Sequence, residues 1–380
     1  MLRLGPAAVA LVVLTAYVGL SAPAHAAFPG RAGRIAYTRT MAGHSEVYSI
    51  APDGSESRQL TDSAGDSCCP AWSPDGTRIA FFSNRDGNDE VYVMSADGAN
   101  EENVSNNPAR EGKADWSPDG SKIAFSSNRD GDFEIWTMNA DGTGAVQLTH
   151  NTGFSDYNPA WSPDGMKIAF ERNPLVPSTD REVYVMDADG NNEKDVSLSP
   201  ATDSRPEWAP DGSRIAFDSN RGGDDDIWTV TPDRSDPQRL TDDAADDISP
   251  AWSPDGSQIA FSSNRTGHFQ VHVLDLDSTS TMQVTSGPGE ASTPDWQPLS
   301  PTQGDVDCNG AVNAVDALRV LRAVAAIPPP PACPDAGDVD CGGSLTAVDA
   351  LWLLRFVAML PVAPPEGCAA IDTPLPEQGP

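Results

Sequence analysis

One phrase, Ala-Trp-Ser-Pro-Asp-Gly or a close relative, recurs six times, with its tryptophan at Trp72, Trp116, Trp161, Trp208, Trp252 and Trp296. The intervals are 44, 45, 47, 44 and 44 residues. So even a period confines the chain to an array of like units stacked on one another. Three further phrases keep step with it. Ile-Ala-Phe or Ile-Ala-Tyr begins at Ile35, Ile79, Ile123, Ile168, Ile215 and Ile259, the Glu-Val-Tyr type follows, and Leu-Thr or Val-Ser closes each unit. Every phrase is short, rich in β-branched and aromatic residues, and bounded by turn chemistry. Ser-Pro-Asp-Gly and Ala-Asp-Gly place proline and glycine where tight turns need them. Four short antiparallel strands per repeat is the arithmetic of a β-propeller blade, and a single blade cannot bury both its faces.

The two ends of the array fit together. The first copy begins at its second strand, "GRIAY" from Gly33, and the last is followed by an extra tryptophan strand, "TPDWQP" from Thr293. That orphan strand is expected to complete the first blade and leave no open edge. The fold class is therefore all-β, a six-bladed β-propeller of four-stranded blades closed by strand exchange. The repeats, as in "PAWSPDGTRIAFFSNRDGNDEVYVMSADG", resemble TolB-like propeller repeats of the broader WD-repeat-like class, over residues 33–298. The resemblance implies a protein-binding platform or an accessory domain of a peptidase, since propellers host many activities.

First-to-second and third-to-fourth strand turns barely change between copies, and both kinds emerge on one face. Loops on the opposite face vary, among them "TDSAGDSCCPAW", "THNTGFSDYNPAW" and "ERNPLVPSTDRE". Uniform turns suggest scaffold and diverse loops a ligand surface, so a partner is expected on the variable face around the central channel. "SNRDG" places Arg85, Arg129, Arg221 and Arg265 in four blades. Repetition argues for structure, and the expected partner is the aspartate of the uniform turn (Asp75, Asp119, Asp211, Asp255). The six tryptophans read as blade core. "GGDDDIW" and "TDDAADD" read as a solvated acidic rim. Cys68 and Cys69 are adjacent in a variable loop, either free or joined as a vicinal disulfide.

Catalytic signatures are sparse. No Gly-x-Ser-x-Gly elbow occurs, since "GFSDY" and "GHSEV" lack the second glycine, and the histidines form no H-E-x-x-H pair. Paired carboxylates for glycoside hydrolysis leave no trace in sequence spacing. The balance of 24 basic and 56 acidic side chains, a net charge of −32, repels a phosphate backbone and excludes nucleic acid as a partner.

Residues 1–26 read as a signal peptide: Arg3, the apolar run "AAVALVVLTAYVGL" and a small-x-small end in "APAHA". No later stretch suits a membrane span, because "ALWLLRFVAML" is short and interrupted by Arg355. The expected location is extracellular, where six cysteines are candidates for disulfides.

Beyond a linker at 299–303, residues 304–369 hold their own duplication. "DVDCNGAVNAVD" starts at Asp305 and "DVDCGGSLTAVD" at Asp338. A twelve-residue calcium loop supplies oxygens from positions 1, 3, 5, 7, 9 and 12. The first loop offers Asp305, Asp307, Asn309, the carbonyl of Ala311, Asn313 and Asp316, with Gly310 at the sharp turn. The second offers Asp338, Asp340, the carbonyl of Ser344, Thr346 and Asp349, while Gly342 brings no side-chain oxygen. Weaker binding is expected there. Each loop runs into a helix ("NAVDALRVLR", "TAVDALWLLR"), and the pair resembles dockerin repeats, a small α-helical, EF-hand-like domain. That resemblance implies Ca2+ binding and docking to a cohesin-like or other extracellular protein. Partner choice in dockerins draws on loop positions 10 and 11, here Ala314–Val315 and Ala347–Val348.

Val315, Leu318 and Leu321, and likewise Val348, Leu351 and Leu354, give each helix an apolar stripe. Trp352 and Phe356 of the second helix exceed what mutual packing needs, and suit either a partner or the propeller. Six cysteines allow fifteen pairings. The duplication favours Cys308–Cys333 and Cys341–Cys368, each loop closure stabilising a small domain by about 3 kcal/mol. Residues 370–380 read as a disordered tail. The function expected first is exported, non-catalytic binding: a protein or glycan on the propeller's loop face, and a tail that docks elsewhere. Two alternatives stand beside it, a secreted hydrolase of the O-glycosyl bonds of polysaccharides, and a structural protein whose tail is a calcium and disulfide clip.

Overall fold

The computed structural model describes residues 31–175 and 180–299. The expected calcium ligands, the cysteines of the tail and the leader all lie outside these residues. The described residues form six four-stranded antiparallel sheets. In blade two the strands are Ser67–Trp72, Arg78–Ser83, Glu90–Ser95 and Glu102–Asn103, counted from the channel outward. Blades three to six repeat this order. Blade one takes its inner strand, Glu290–Leu299, from the end of the array, paired to Arg31–Met41. The ring is thus closed by strand exchange, as the offset repeats require. Gln297 fastens the closure, donating from Nε2 to the Gly76 carbonyl at 2.8 Å and accepting from the Arg34 amide at 3.1 Å.

Each second strand is buried on both faces, so its Ile-Ala-aromatic run needs no alternation. Ile79, Ala80 and Phe81 are fully buried, as are Ile123, Ala124 and Phe125. The core lies between blades: Val91 and Val104 of blade two pack with Trp116, Ile123 and Phe125 of blade three. Burying each large side chain contributes about 1.5–3 kcal/mol, which an isolated blade would forgo. Five of the repeat tryptophans are buried, and Trp252 is half-buried.

The closing Leu-Thr or Val-Ser phrase has a specific task. Its hydroxyl accepts an amide of the third strand: Thr61 from Val47, Ser105 from Val91, Thr149 from Ile135 and Thr285 from Val271, at 2.8–2.9 Å. A fourth strand of two or three residues is thereby held by a side chain as well as by its ladder. The uniform third-to-fourth turns are uniform for packing reasons. Gly142 has φ +83°, and a Cβ there would stand 2.0 Å from the Val104 carbonyl oxygen of the preceding blade. Only glycine fits.

The repeated arginines have different partners from those expected. The turn aspartates cap their own turns: Asp119 accepts from Ser117 Oγ at 2.6 Å and the Ser121 amide at 3.0 Å. The arginines lie at the other end of the blade and pair with a carboxylate at the start of the inner strand. Arg129 meets Glu111, Arg221 meets Asp203 at 2.8 Å, and Arg265 meets Asp247 at 2.9 Å. Blade two has Ser67 at that place, and Arg85 bonds it at 3.1 Å while also pairing with Glu101. The reason is direction: the second strand carries its arginine away from the Ser-Pro-Asp-Gly turn. Each guanidinium also stacks on core aromatics, Arg129 standing 4.7 Å from the Trp136 ring and 5.1 Å from that of Phe125. The acidic runs are not wholly a solvated rim either, because Asp226 and Asp247 are fully buried and paired with Arg239 and Arg265.

Candidate functional site

All six inner strands carry the same local device. Halfway along, each pairing register slips by a bulge, and in five of them the residue three before the tryptophan has a left-handed backbone: Cys69, Asn158, Arg205, Ser249 and Thr293, with φ between 49° and 57°. Lys113 stands at the sixth place. A bulge re-aims side chains, and here it turns a ring of polar groups towards the axis. The bulge amides are satisfied across blades: Ser249 donates to Asp218 Oδ1 at 3.0 Å, Thr293 to Ser262 Oγ at 3.0 Å and Cys69 to Thr38 Oγ1 at 2.9 Å.

A second layer lies two residues nearer the uniform turns. The residue before each tryptophan runs Ala71, Asp115, Ala160, Glu207, Ala251, Asp295, so acid and alanine alternate around the ring. Asp115 reaches the next blade and accepts the Trp161 amide at 2.7 Å, and Asp295 accepts the Trp72 amide at 2.6 Å. The small alanines leave room for these crossings. Glu207 instead approaches Lys113, at 4.0 Å. The two layers enclose a cavity of about 300 Å³, to which all six inner strands contribute.

Burial sets the electrostatics of this cavity. It pushes Asp115 up to about 6 and Asp295 up to about 7, each only partly relieved by the backbone amide it accepts. Glu207 is raised well above the usual carboxylate range by burial, and Lys113 opposes the shift. Asp218, beneath the bulge layer, is raised to about 7 by burial, with Arg205 opposing at 3.5 Å. With Asp115 and Asp295 raised to about 6 and about 7 and Lys113 and Arg205 beside them, the cavity offers both donors and acceptors to a polar ligand. Among the described residues no group of three or more histidine, cysteine or acidic side chains is arranged to hold a metal ion.

The sequence places a partner on the variable face around the central channel but does not single out the acids that line that channel. The missed signal is the alternation before tryptophan, visible as "PAW", "ADW", "PAW", "PEW", "PAW" and "PDW" once the repeats are aligned. Four large apolar side chains are exposed on the variable face: Met41, Phe154, Leu175 and Leu198. Phe154 and Leu175 are neighbours, the Leu175 amide donating to the Gly153 carbonyl at 2.8 Å. No disulfide joins Cys68 and Cys69, whose sulfurs stand in hydrogen-bond contact at 2.7 Å.

The profile of the TolB beta propeller domain matches residues 25–175, 151–246 and 182–302. The chain belongs to that family. Solved structures agree on the fold of this TolB-family chain. TolB from Acinetobacter baumannii is 22% identical with a TM-score of 0.63, over 70% of this chain and 67% of that one. A putative TolB from Agrobacterium tumefaciens is 24% identical with a TM-score of 0.57, over 70% and 91%. A chain of a nidogen/laminin complex shares the architecture at 11% identity and a TM-score of 0.57, over 70% and 98%. After the TolB-type propeller, residues 303–358 match the Dockerin type I domain, a calcium-binding module that docks to cohesin partner proteins. No curated protein matches the chain. No helix among the described residues is long and apolar enough to cross a membrane.

Proposed function

We propose that this is an exported binding protein with two working ends. The propeller holds a protein or glycan ligand on its variable face, over the polar cavity, and the C-terminal module docks the whole to a cohesin-like extracellular protein in a calcium-dependent way. The observation that carries this reading is the Dockerin type I match beginning at residue 303, directly after the propeller match ends at 302. A docking module gives no chemistry of its own, so it implies that the propeller is the cargo to be placed. Support for the ligand face comes from two separate features: the exposed Phe154, Leu175 and Leu198 on the variable face, and an axial cavity rich in donors and acceptors.

In this reading Asp305, Asp307, Asn309, the Ala311 carbonyl, Asn313 and Asp316 hold one Ca2+. Asp338, Asp340, the Ser344 carbonyl, Thr346 and Asp349 hold a second more weakly. Cys308–Cys333 and Cys341–Cys368 staple the two halves, and residues 1–26 direct export and are removed. The test is capture of the full chain by immobilised cohesin modules in calcium and in chelator. Calcium-dependent capture that Asp305→Ala abolishes is expected. Equal capture in chelator, or none by any cohesin type, refutes the docking half, while a glycan and protein array on the propeller face tests the other half separately.

A further inference from the structure

In a regular strand neighbouring side chains point to opposite faces, so adjacent cysteines are held apart. Cys68 and Cys69 escape that rule because Cys69 occupies the left-handed bulge of its inner strand, φ +57°. The bulge belongs to the propeller at large, but the corresponding residue pairs elsewhere are Gly112–Lys113, Tyr157–Asn158, Ser204–Arg205, Ile248–Ser249 and Ser292–Thr293. In blade two alone it brings two thiols together, their sulfurs 2.7 Å apart in half-buried residues. Cys69 lines the central cavity together with Lys113, Arg205 and Thr293. Nothing in ligand docking uses this pair.

We propose that Cys68–Cys69 is a reactive dithiol in the channel wall that closes reversibly to a vicinal disulfide by exchange with small-molecule disulfides entering the cavity. Cys69 is the attacking sulfur. Its thiolate is favoured first by the hydrogen bond from Cys68 and further by the positive charge of Lys113, a bond to Thr293 and the charge of Arg205, which together outweigh the opposing effect of burial. Cys68 is its opposite, held protonated chiefly by burial and by its bond to Cys69. The thiolate of Cys69 attacks a disulfide RSSR, forming a mixed disulfide and expelling RS−, which takes up the proton released from Cys68. The Cys68 sulfur then attacks the Cys69 sulfur of the mixed disulfide, closes the ring and expels the second RS−, which is protonated by solvent. Two protein thiols and one RSSR thus become one ring disulfide and two RSH. Neighbouring Cα atoms stand about 3.8 Å apart, nearer than the roughly 4.4–6.8 Å of ordinary bridges, so small dithiols should reopen the ring.

Trypsin isolates the site, because residues 59–78 form one peptide that contains Cys68 and Cys69 and no other cysteine. The native full chain, reduced and then exposed to oxidised glutathione, is acid-quenched, alkylated and digested. The peptide is expected two hydrogens lighter and without alkyl groups, and doubly alkylated again after dithiothreitol. Closure in the folded chain should run at least about tenfold faster than in urea, since the bulge pre-positions the sulfurs. Cys68→Ser should leave a stable glutathione adduct on Cys69, whereas Cys69→Ser should react far more slowly. Double alkylation after glutathione, a persistent mixed disulfide in the unaltered chain, or equal rates folded and unfolded would each overturn the proposal.

Discussion

Arg172 offers the sharpest test of what holds the blades. It departs from the Ser-Asn-Arg pattern, sitting two residues earlier in its strand than the other arginines, yet its guanidinium fills the same place. Nε donates to Asp156 Oδ1 and Nη2 to Asp156 Oδ2, both at 2.8 Å, and Nη1 reaches Glu193 at 2.7 Å. The side chain is 9% exposed, that of Asp156 is fully buried, and the ring of Tyr184 lies 4.6 Å from the guanidinium. Arg172→Met keeps most of the apolar stem but strands a buried carboxylate. Breaking such a pair from one side costs about 3–5 kcal/mol. At about 2–4 °C per kcal/mol for a domain of this size, the midpoint should fall by at least about 6 °C. Eight of the nine tryptophans lie in the propeller and only Trp352 in the tail, so tryptophan fluorescence reports the propeller's unfolding.

Two controls sharpen that reading. Asp156→Asn combined with Arg172→Met removes both charges and should recover at least half of the loss. Burial already pushes Asp156 upward and Arg172 opposes the shift. Without the arginine the carboxyl protonates more readily in the fold than in the unfolded chain, so the variant's deficit should grow as pH rises. A midpoint shift below about 2 °C, or a double variant no better than the single, would refute the claim that these pairs matter through charge compensation.

Three further outcomes follow from the geometry. The raised carboxyls Asp115, Asp218 and Asp295 hold protons at pH 5–6 that the unfolded chain, with aspartates near 3.9, has released, so stability falls as pH rises through about 6–7. Thermal midpoints measured in chelator should be higher at pH 5.5 than at pH 8, and a flat or opposite profile contradicts the burial assigned to the channel acids. Gly142→Ala should cost about 1–3 kcal/mol and clearly more than Gly43→Ala, which has a similar φ of +82° but open space around its Cβ; equal losses in urea melts would show that the inter-blade approach is unimportant. Trp296→Ala, in the strand that closes the ring, should cost about 3–5 kcal/mol, and more than Trp252→Ala at a half-buried place. Equal midpoints for the two variants would argue against closure by the last strand.

The repeat is a local signal, and what it encodes locally could be read without coordinates. Strand phrases, turn glycines and the displaced tryptophan at Trp296 fixed blade number, blade order and the manner of closure, because each follows from spacing along the chain. Pairings made across the ring could not be read that way. Repetition in the sequence suggests Asp119 as the partner of Arg129, whereas strand direction carries the arginine to Glu111 at the opposite end. The channel is a stronger case. Asp115, Glu207 and Asp295 are scattered over some 180 residues of sequence, and only the closing of the ring sets them in one layer. Their raised proton affinity has no sequence signature at all, since it comes from the loss of water around groups that other blades enclose. The same holds for Cys68 and Cys69: adjacency was plain, but a left-handed bulge decided that the two sulfurs meet.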